Sequence, residues 1–363
     1  MYVSTVLARH RALLPPLDPN DPQKVARAAG LRYVSDQQPG IQRQPWGQGF
    51  SYIDLDGSRI QPSPERDRIE ALAIPPSWQE VWICKDPNGH LQATGRDQKG
   101  RKQYRYHPNW RQFRSQLKFN RMIPFGQTLP TLREQTQAHA QQRSLTREKI
   151  VATVVQLLDK TLIRVVNPEY AKSNGSFGLT TLRDRHVKIA NGRVKFHFRG
   201  KSGVEHEVEL ADPRLAKVVK RCKEIPGYEL FQYFDEDGAR QTIDSGDVND
   251  YLHAVTGEDF TAKDFRTWAG TVVATEALLQ LGNWEKETDA KRNVTQAIKI
   301  AASRLGNRPA TCRKYYVHPT IPETYLGGEL LTLIAKTLDK ADLAKIRLDR
   351  HEHSVLSILK LIE

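Results

Sequence analysis

Two adjacent tyrosines, Tyr315 and Tyr316, stand in LGNRPATCRKYYVHP (residues 305–319), after a glycine that ends one helix and a proline that starts another. A phenol can attack an electrophile, but unassisted it is only about one part in a thousand ionised at neutral pH. Cations that hold the target and a group that protonates the leaving atom must therefore come from elsewhere in the chain. Arg164 lies in LLDKTLIRVV, on what reads as the last turn of an apolar helix face, where an arginine either snorkels or pairs with an anion. Arg266 lies in TAKDFRTWAG, where Thr261 and Asp264 form a capping-box pattern that places it in the first turns of a helix, a setting favourable to an anion. Asn307 follows Gly306 just past a helix end, and Lys201 lies in the turn of a hairpin. Two guanidiniums, an amide, an ammonium and a phenol suit attack on a phosphodiester, with donors for the nonbridging oxygens and a proton for the departing one. Taken singly, each has a plainer reading: a packing tyrosine, a helix cap, a solvated turn lysine.

The elements that must position these residues are legible in part. GRVKFHFR (192–199) and VEHEVEL (204–210) both alternate with the period of a half-buried strand. Pairing residues whose numbers sum to 404 sets Lys195, His197 and Arg199 opposite Glu209, Glu207 and Glu205, and Val194 and Phe196 opposite Leu210 and Val208. Charge and apolar faces agree on that register. The turn is then Lys201-Ser202-Gly203, with glycine at the left-handed position and Lys201 clear of both strand faces.

The chain of 363 residues divides by texture into two domains. Residues 1–30 hold a proline-broken segment and a helical candidate, DPQKVARAAG. From Leu31 to about Gln103, the pieces LRYVS, GFSYIDLDG and EVWICKDPNGHLQATG carry strand-forming residues between Asp-Gly and Pro-Asn-Gly turns, with a short helix at PERDRIEALA. GRKQYRYHPNW reads as a bridge, and beyond it the chain is mostly amphipathic helix, as in SLTREKIVATVVQLLDKTLI and DFTAKDFRTWAGTVVATEALLQL. The fold class expected is α+β: a small antiparallel β domain over 1–108 and a larger, mainly α-helical domain over 109–363.

Lys and Arg total 55 against 42 Asp and Glu, a net charge of +13 that suits a polyanionic partner such as nucleic acid. The three cysteines lie far apart with no C-x-x-C pair, so free thiols in a reducing compartment are expected, and no cysteine-based zinc site. No apolar run reaches the roughly 20 residues of a membrane span. The first residues have too short an apolar run and the wrong flanks for a secretory signal, so a cytoplasmic, nucleoid-associated location is expected.

The linked words GRKQYRYHP, IRVVNPEYAKSNGSFGLTTLRDRH, FRGKSG, KDFRTWAGT and LGNRPATCRKYYVHP, in this order from about residue 28 to 330, resemble the type IB DNA topoisomerases, above all the compact bacterial members related to the poxvirus enzyme. The resemblance implies a β domain and a helical catalytic domain that clamp duplex DNA as a monomer. It also implies relaxation of positive and negative supercoils through a transient 3′-phosphotyrosyl link, without ATP, metal or other cofactor. By the same resemblance Tyr316 is the nucleophile and Tyr315 its neighbour. Arg164, Arg266 and Asn307 act on the nonbridging oxygens, Lys201 is the general acid, and Lys263 assists or relays the proton. Gln103, Tyr104, Tyr106 and Tyr170 are implied to face DNA. The poxvirus enzyme has histidine where this chain has Asn307, though bacterial relatives commonly carry asparagine. His186 and His318 fall off the family's catalytic positions and read as structural, while His107 in the bridge is a further candidate for DNA contact.

Two rivals stand beside this reading. Tyrosine recombinases share the catalytic domain and its chemistry but typically carry histidine where Lys263 stands, and act as tetramers. A non-catalytic DNA-binding protein with a degenerate site is the other, against which all five catalytic positions are filled. No G-x-x-x-x-G-K-[ST] loop is present, and no carboxylate cluster with two-metal spacing stands out.

Overall fold

The computed structural model describes residues 21–98, 100–339 and 347–362. Two compact units result, one ending at Asn120 and the other starting at Arg121. The proline-broken segment read in the first residues of the chain lies outside the described residues.

The first unit is built on a five-stranded antiparallel sheet. Its elements are α1 (Pro22–Ala28), β1 (Ile41–Trp46), β2 (Gly49–Ile53), α2 (Pro64–Ala71), β3 (Gln79–Ile83), β4 (Leu91–Arg96), β5 (Lys102–Tyr106) and α3 (Pro108–Asn120). The strand order is β2-β1-β3-β4-β5. Strand β3 is apolar on both faces. Val81 and Ile83 join Ile41, Tyr52 and Ile69 on one side, and Trp82 joins Cys84 and Leu91 on the other. Helix α1 starts at Asp21, whose carboxylate accepts from the amides of Gln23 and Lys24, and it buries Val25 and Ala26 against Trp110, Phe113 and Leu117 of α3. Helix α3, counted with the second domain in the sequence reading, therefore packs with the first unit.

Two local expectations are corrected here, and one strand is added. LRYVS is no strand, and pairs only through an isolated bridge from Arg32 to Gly89. IQRQPW, which carries few strand formers, is β1. Pro45 is tolerated because the β3 pairing stops at Ile41 and Gln42, so no ladder bond on that side needs its missing N–H. KQYRY is not a bridge but an edge strand of the sheet, paired with β4 from Leu91–Tyr106 to Arg96–Lys102.

The second unit is mainly helical. It opens with α4 (Met122–Ala140), α5 (Arg147–Thr161) and α6 (Pro168–Asn174), followed by the strands β6 (Val187–Ala190), β7 (Arg193–Arg199) and β8 (Glu205–Ala211). Next come α7 (Pro213–Lys223), the short hairpin β9 (Gln232–Phe234) and β10 (Arg240–Thr242), and α8 (Ser245–Thr256). The last part is α9 (Ala262–Leu281), α10 (Glu287–Leu305), α11 (Pro309–Tyr315), α12 (Thr320–Leu326), α13 (Leu330–Asp339) and α14 (Arg350–Ile362). One apolar core joins the last six helices through Ala274, Leu278, Ala301, Ile321, Leu330 and Ile358, and Cys312 and Val317 on either side of Tyr316 are buried in it. Arg133 of α4 donates to both Asp159 of α5 and Glu352 of α14, and Trp268 donates to Glu352, so the carboxylate of a buried Glu is fully engaged.

The β7–β8 register is the expected one, with Lys195, His197 and Arg199 opposite Glu209, Glu207 and Glu205. The ion pairs form diagonally, Lys195 to Glu207 at 2.6 Å and Arg193 to Glu209 at 2.8 Å. Gly203 has φ +76, as its place in the turn requires. Beyond the hairpin read from sequence, β6 adds a third strand along β7.

Candidate active site

Each candidate catalytic side chain is placed by the end of an element. Arg164 is not on a helix, contrary to the sequence reading. Helix α5 stops at Thr161, Leu162 caps it with φ 58, and Arg164 follows in a segment outside any helix or strand. Its carbonyl accepts from the amide of Leu179 at 2.7 Å, which ties that segment to the 179–181 turn. Arg266 is in the second turn of α9, and the Thr261–Asp264 capping box is present. Gly306, at φ +59, caps α10 and hands the chain to Asn307. Pro309 starts α11, and Tyr316 caps its far end, its amide donating to Cys312 at 2.9 Å. The Thr271 hydroxyl, one turn beyond Arg266, lies 3.3 Å from the Tyr316 carbonyl and accepts from the His318 amide at 3.0 Å. Helix α9 thus fixes both Arg266 and the backbone of the tyrosine.

A cavity of about 850 Å³ in the second unit is lined by Arg164, Lys201, Arg266, Asn307, Tyr316 and Lys263. Tyr170 of α6 also lines it, with the Lys201 ammonium 5.8 Å from its ring centre. Tyr315 is not among the lining residues and is exposed, with the Lys314 ammonium over its ring.

The charge arrangement is unbalanced. Arg266 is 4% exposed, its guanidinium carbon 5.3 Å from the Tyr316 ring centre. It donates to the carbonyls of Leu162 and of Leu305, the latter at 2.8 Å, so one cation caps the C-terminal ends of both α5 and α10. Arg164 donates to the Gly306 carbonyl at 3.2 Å and to the Asn307 side-chain oxygen. Both guanidiniums interact with Tyr316. Burial lowers the pKa of each, and Arg164 lowers that of Arg266 further. Among the described residues no carboxylate lines the cavity to offset them. Two donors are also unspent: Arg266 Nε and Asn307 Nδ2 are buried with no hydrogen-bond partner among the described residues. A bound anion with oxygens in reach of these groups would relieve both the charge and the unmade bonds.

The histidines outside this set have structural places. His186 is buried, its Nδ1 accepting from the Arg183 amide at 3.0 Å, and burial with Arg185 and Arg183 pulls its pKa down to about 4. His318 accepts from the Thr320 amide at 3.3 Å, and His107 from the Asn109 amide at 3.1 Å, where it starts α3. In the first unit, Gln103 donates to Asp97 at 3.0 Å, and exposed Tyr104 stacks on half-buried Tyr106 at 5.8 Å along the edge strand β5. Among the described residues no group of three or more His, Cys, Asp or Glu side chains could hold a metal ion, and no helix is long and apolar enough to cross a membrane.

The chain thus carries a β-sheet unit and a helical unit, and a cavity of the helical unit gathers a tyrosine and two arginines. Comparison with known proteins gives the family. Residues 107–325 match the eukaryotic DNA topoisomerase I catalytic core, and residues 49–97 match the N-terminal domain of bacterial DNA topoisomerase IB. DNA topoisomerase 1B of Acanthamoeba polyphaga mimivirus is 32% identical over 312 residues, 84% of this chain and 92% of the relative. DNA topoisomerase I of monkeypox virus and DNA topoisomerase 1B of Vaccinia virus (strain Copenhagen) are each 22% identical over 281 residues, 76% of this chain and 86% of theirs. The chain belongs to the type IB DNA topoisomerases. Its activity is that of a DNA topoisomerase, and its substrate is DNA.

Proposed function

We propose that this cavity cleaves and reseals one strand of duplex DNA, with Tyr316 as the nucleophile. The observation that carries the reading is the meeting of Tyr316, two anion-deficient guanidiniums and two unspent donors in one cavity. The Tyr316 oxygen attacks phosphorus and its proton passes to solvent. The bond from phosphorus to the 5′-oxygen breaks, and Lys201 delivers a proton to that oxygen. Arg164, Arg266 and Asn307 hold the nonbridging oxygens through the transition state, where preorganised donors stabilise most. Lys263, exposed at the start of α9, assists Lys201 or returns its proton. The phosphotyrosyl link stores the bond energy, so the 5′-hydroxyl reseals the strand by the reverse path, after the free end has rotated. Supercoils of both signs then relax without nucleotide.

All charges and protons in this scheme come from the chain's own side chains. Relaxation of positively and negatively supercoiled plasmid is therefore expected to persist with excess EDTA and no ATP. Complete loss of activity in chelator would refute the scheme.

Gln103, Tyr104 and Tyr106 of the first unit and Tyr170 of the second are proposed to contact DNA, with the chain acting in the cytoplasm on the nucleoid as a monomeric clamp. The +13 charge and the exposed aromatic face of β5 support this. Binding is expected to fall steeply with salt, since phosphate contacts release counterions. Mass photometry on a short duplex is expected to show one chain per DNA. A stable tetramer there would favour recombinase-like assembly.

A further inference from the structure

His206 has no part in the chemistry just described, yet it sits between the two glycines that precede the proposed acid and the amide. On β8 it faces Phe198 across the ladder, and the two rings stack at 5.1 Å with 6° between their planes. A Cβ on Gly200 would lie 2.4 Å from His206 Cδ2, and a Cβ on Gly306 would lie 2.1 Å from Cε1. No side chain fits at such distances, so the imidazole is pressed against both backbones. Gly200 has φ −95, open to any residue, and there only the approach of the ring calls for glycine. At Gly306 the left-handed backbone, φ +59, also disfavours a side chain.

What the ring touches matters because of what comes next in the chain. Gly200 is followed by Lys201, whose turn is closed by the Gly200 amide to Val204 at 2.7 Å and the Gly203 amide to Gly200 at 3.1 Å. Gly306 is followed by Asn307, and its carbonyl accepts from Arg164. The imidazole spans from one group to the other. Burial first, then Arg164 and Arg266, hold its pKa below the ordinary range, which favours the neutral ring beside those cations. Its Nε2 is buried with no hydrogen-bond partner among the described residues, which points to the shape of the ring, not its hydrogen bonding, as what is used.

We propose that His206 is a positioning residue, a strut that fixes the Lys201 turn against the Gly306–Asn307 corner. The effect on the reaction rests on the reading of Lys201 as the acid; the strut itself does not. Displacing an acid by about 1 Å can slow a reaction roughly 10²-fold.

The test uses the full chain in single-turnover cleavage of a duplex with either an ordinary or a 5′-thio scissile linkage, together with amide hydrogen exchange. His206→Ala is expected to slow cleavage of the ordinary strand by about 10- to 10²-fold. Most of that loss is expected to vanish on the 5′-thio strand, whose thiolate leaves without an acid. Amides of 200–204 and 306–307 are expected to exchange faster, with those of α9 and α10 unchanged. Gly200→Ala, which adds one methyl against the ring, is expected to reproduce the rescuable defect, and to add nothing in a His206→Ala background. Wild-type cleavage by His206→Ala, or unchanged exchange at 200–204, would overturn the strut. A defect in His206→Ala that sulfur does not rescue, while Lys201→Ala is rescued, would overturn its link to the acid. If neither variant is rescued but the turn loosens, the role of Lys201 falls and the strut stands.

Discussion

Tyr316→Phe is expected to bind duplex DNA and form no covalent adduct, while Tyr315→Phe still forms one. The change removes one oxygen and almost no volume. The ring that the core packs against is kept, as are the Cys312 and Thr271 contacts of the backbone. Folding should therefore survive, and the variant's melting temperature serves as the control. Attack requires an oxygen at that position, so adduct formation should fall below detection. Tyr315 is exposed and is not among the residues lining the cavity, so its hydroxyl is expected to be dispensable. The measurement is denaturing gel mobility of labelled DNA after protease-free incubation. An adduct with Tyr316→Phe, or its loss with Tyr315→Phe, would reverse the assignment.

Some of this arrangement was legible in the chain and some was not, for reasons that differ by residue. The β7–β8 register was legible because alternating charge and alternating bulk make one prediction, and a slip of one residue would contradict both. The start of α9 was legible because its cap is local, Thr261 and Asp264 answering each other within one turn. The end of α5 was not. A helix commonly stops at glycine, whereas here Leu162 takes the left-handed conformation, with its carbonyl held by Arg266 from a helix 104 residues later. Arg164 therefore stands past the helix end, in a segment outside any helix or strand. Strands β1 and β5 were hidden by glutamine, arginine and proline, residues that say little about pairing until a neighbouring strand is in place. His206 carried one signal, a histidine at an apolar-face position of an alternating strand. Its partners, Gly200 and Gly306, are too far apart in sequence for any pattern to link them.

Lys201→Ala is expected to cleave an ordinary strand very slowly and a 5′-thio strand much nearer the wild-type rate, while Arg164→Ala stays slow on both. The departing 5′-oxygen leaves as an alkoxide unless it is protonated, and it is far more basic than the phenolate that replaces it on phosphorus. Sulfur in its place leaves as a thiolate, several pKa units less basic, and needs little help from an acid. The lost ammonium then matters only through its charge. Arg164 stands elsewhere in the same cavity, donating to Gly306 and Asn307. Its proposed work is on the nonbridging oxygens, which the sulfur leaves unchanged, and losing one such charged donor costs about 10²-fold or more. Arg266 is the poorer residue for this comparison, because it also caps α5 and α10 and its removal would disturb the fold along with the chemistry. Single-turnover cleavage of the two substrates by the two variants gives four rates. Equal rescue would assign Lys201 and Arg164 one shared role. Failure of sulfur to rescue Lys201→Ala would remove Lys201 as the acid and turn attention to Lys263, the other lysine lining the cavity.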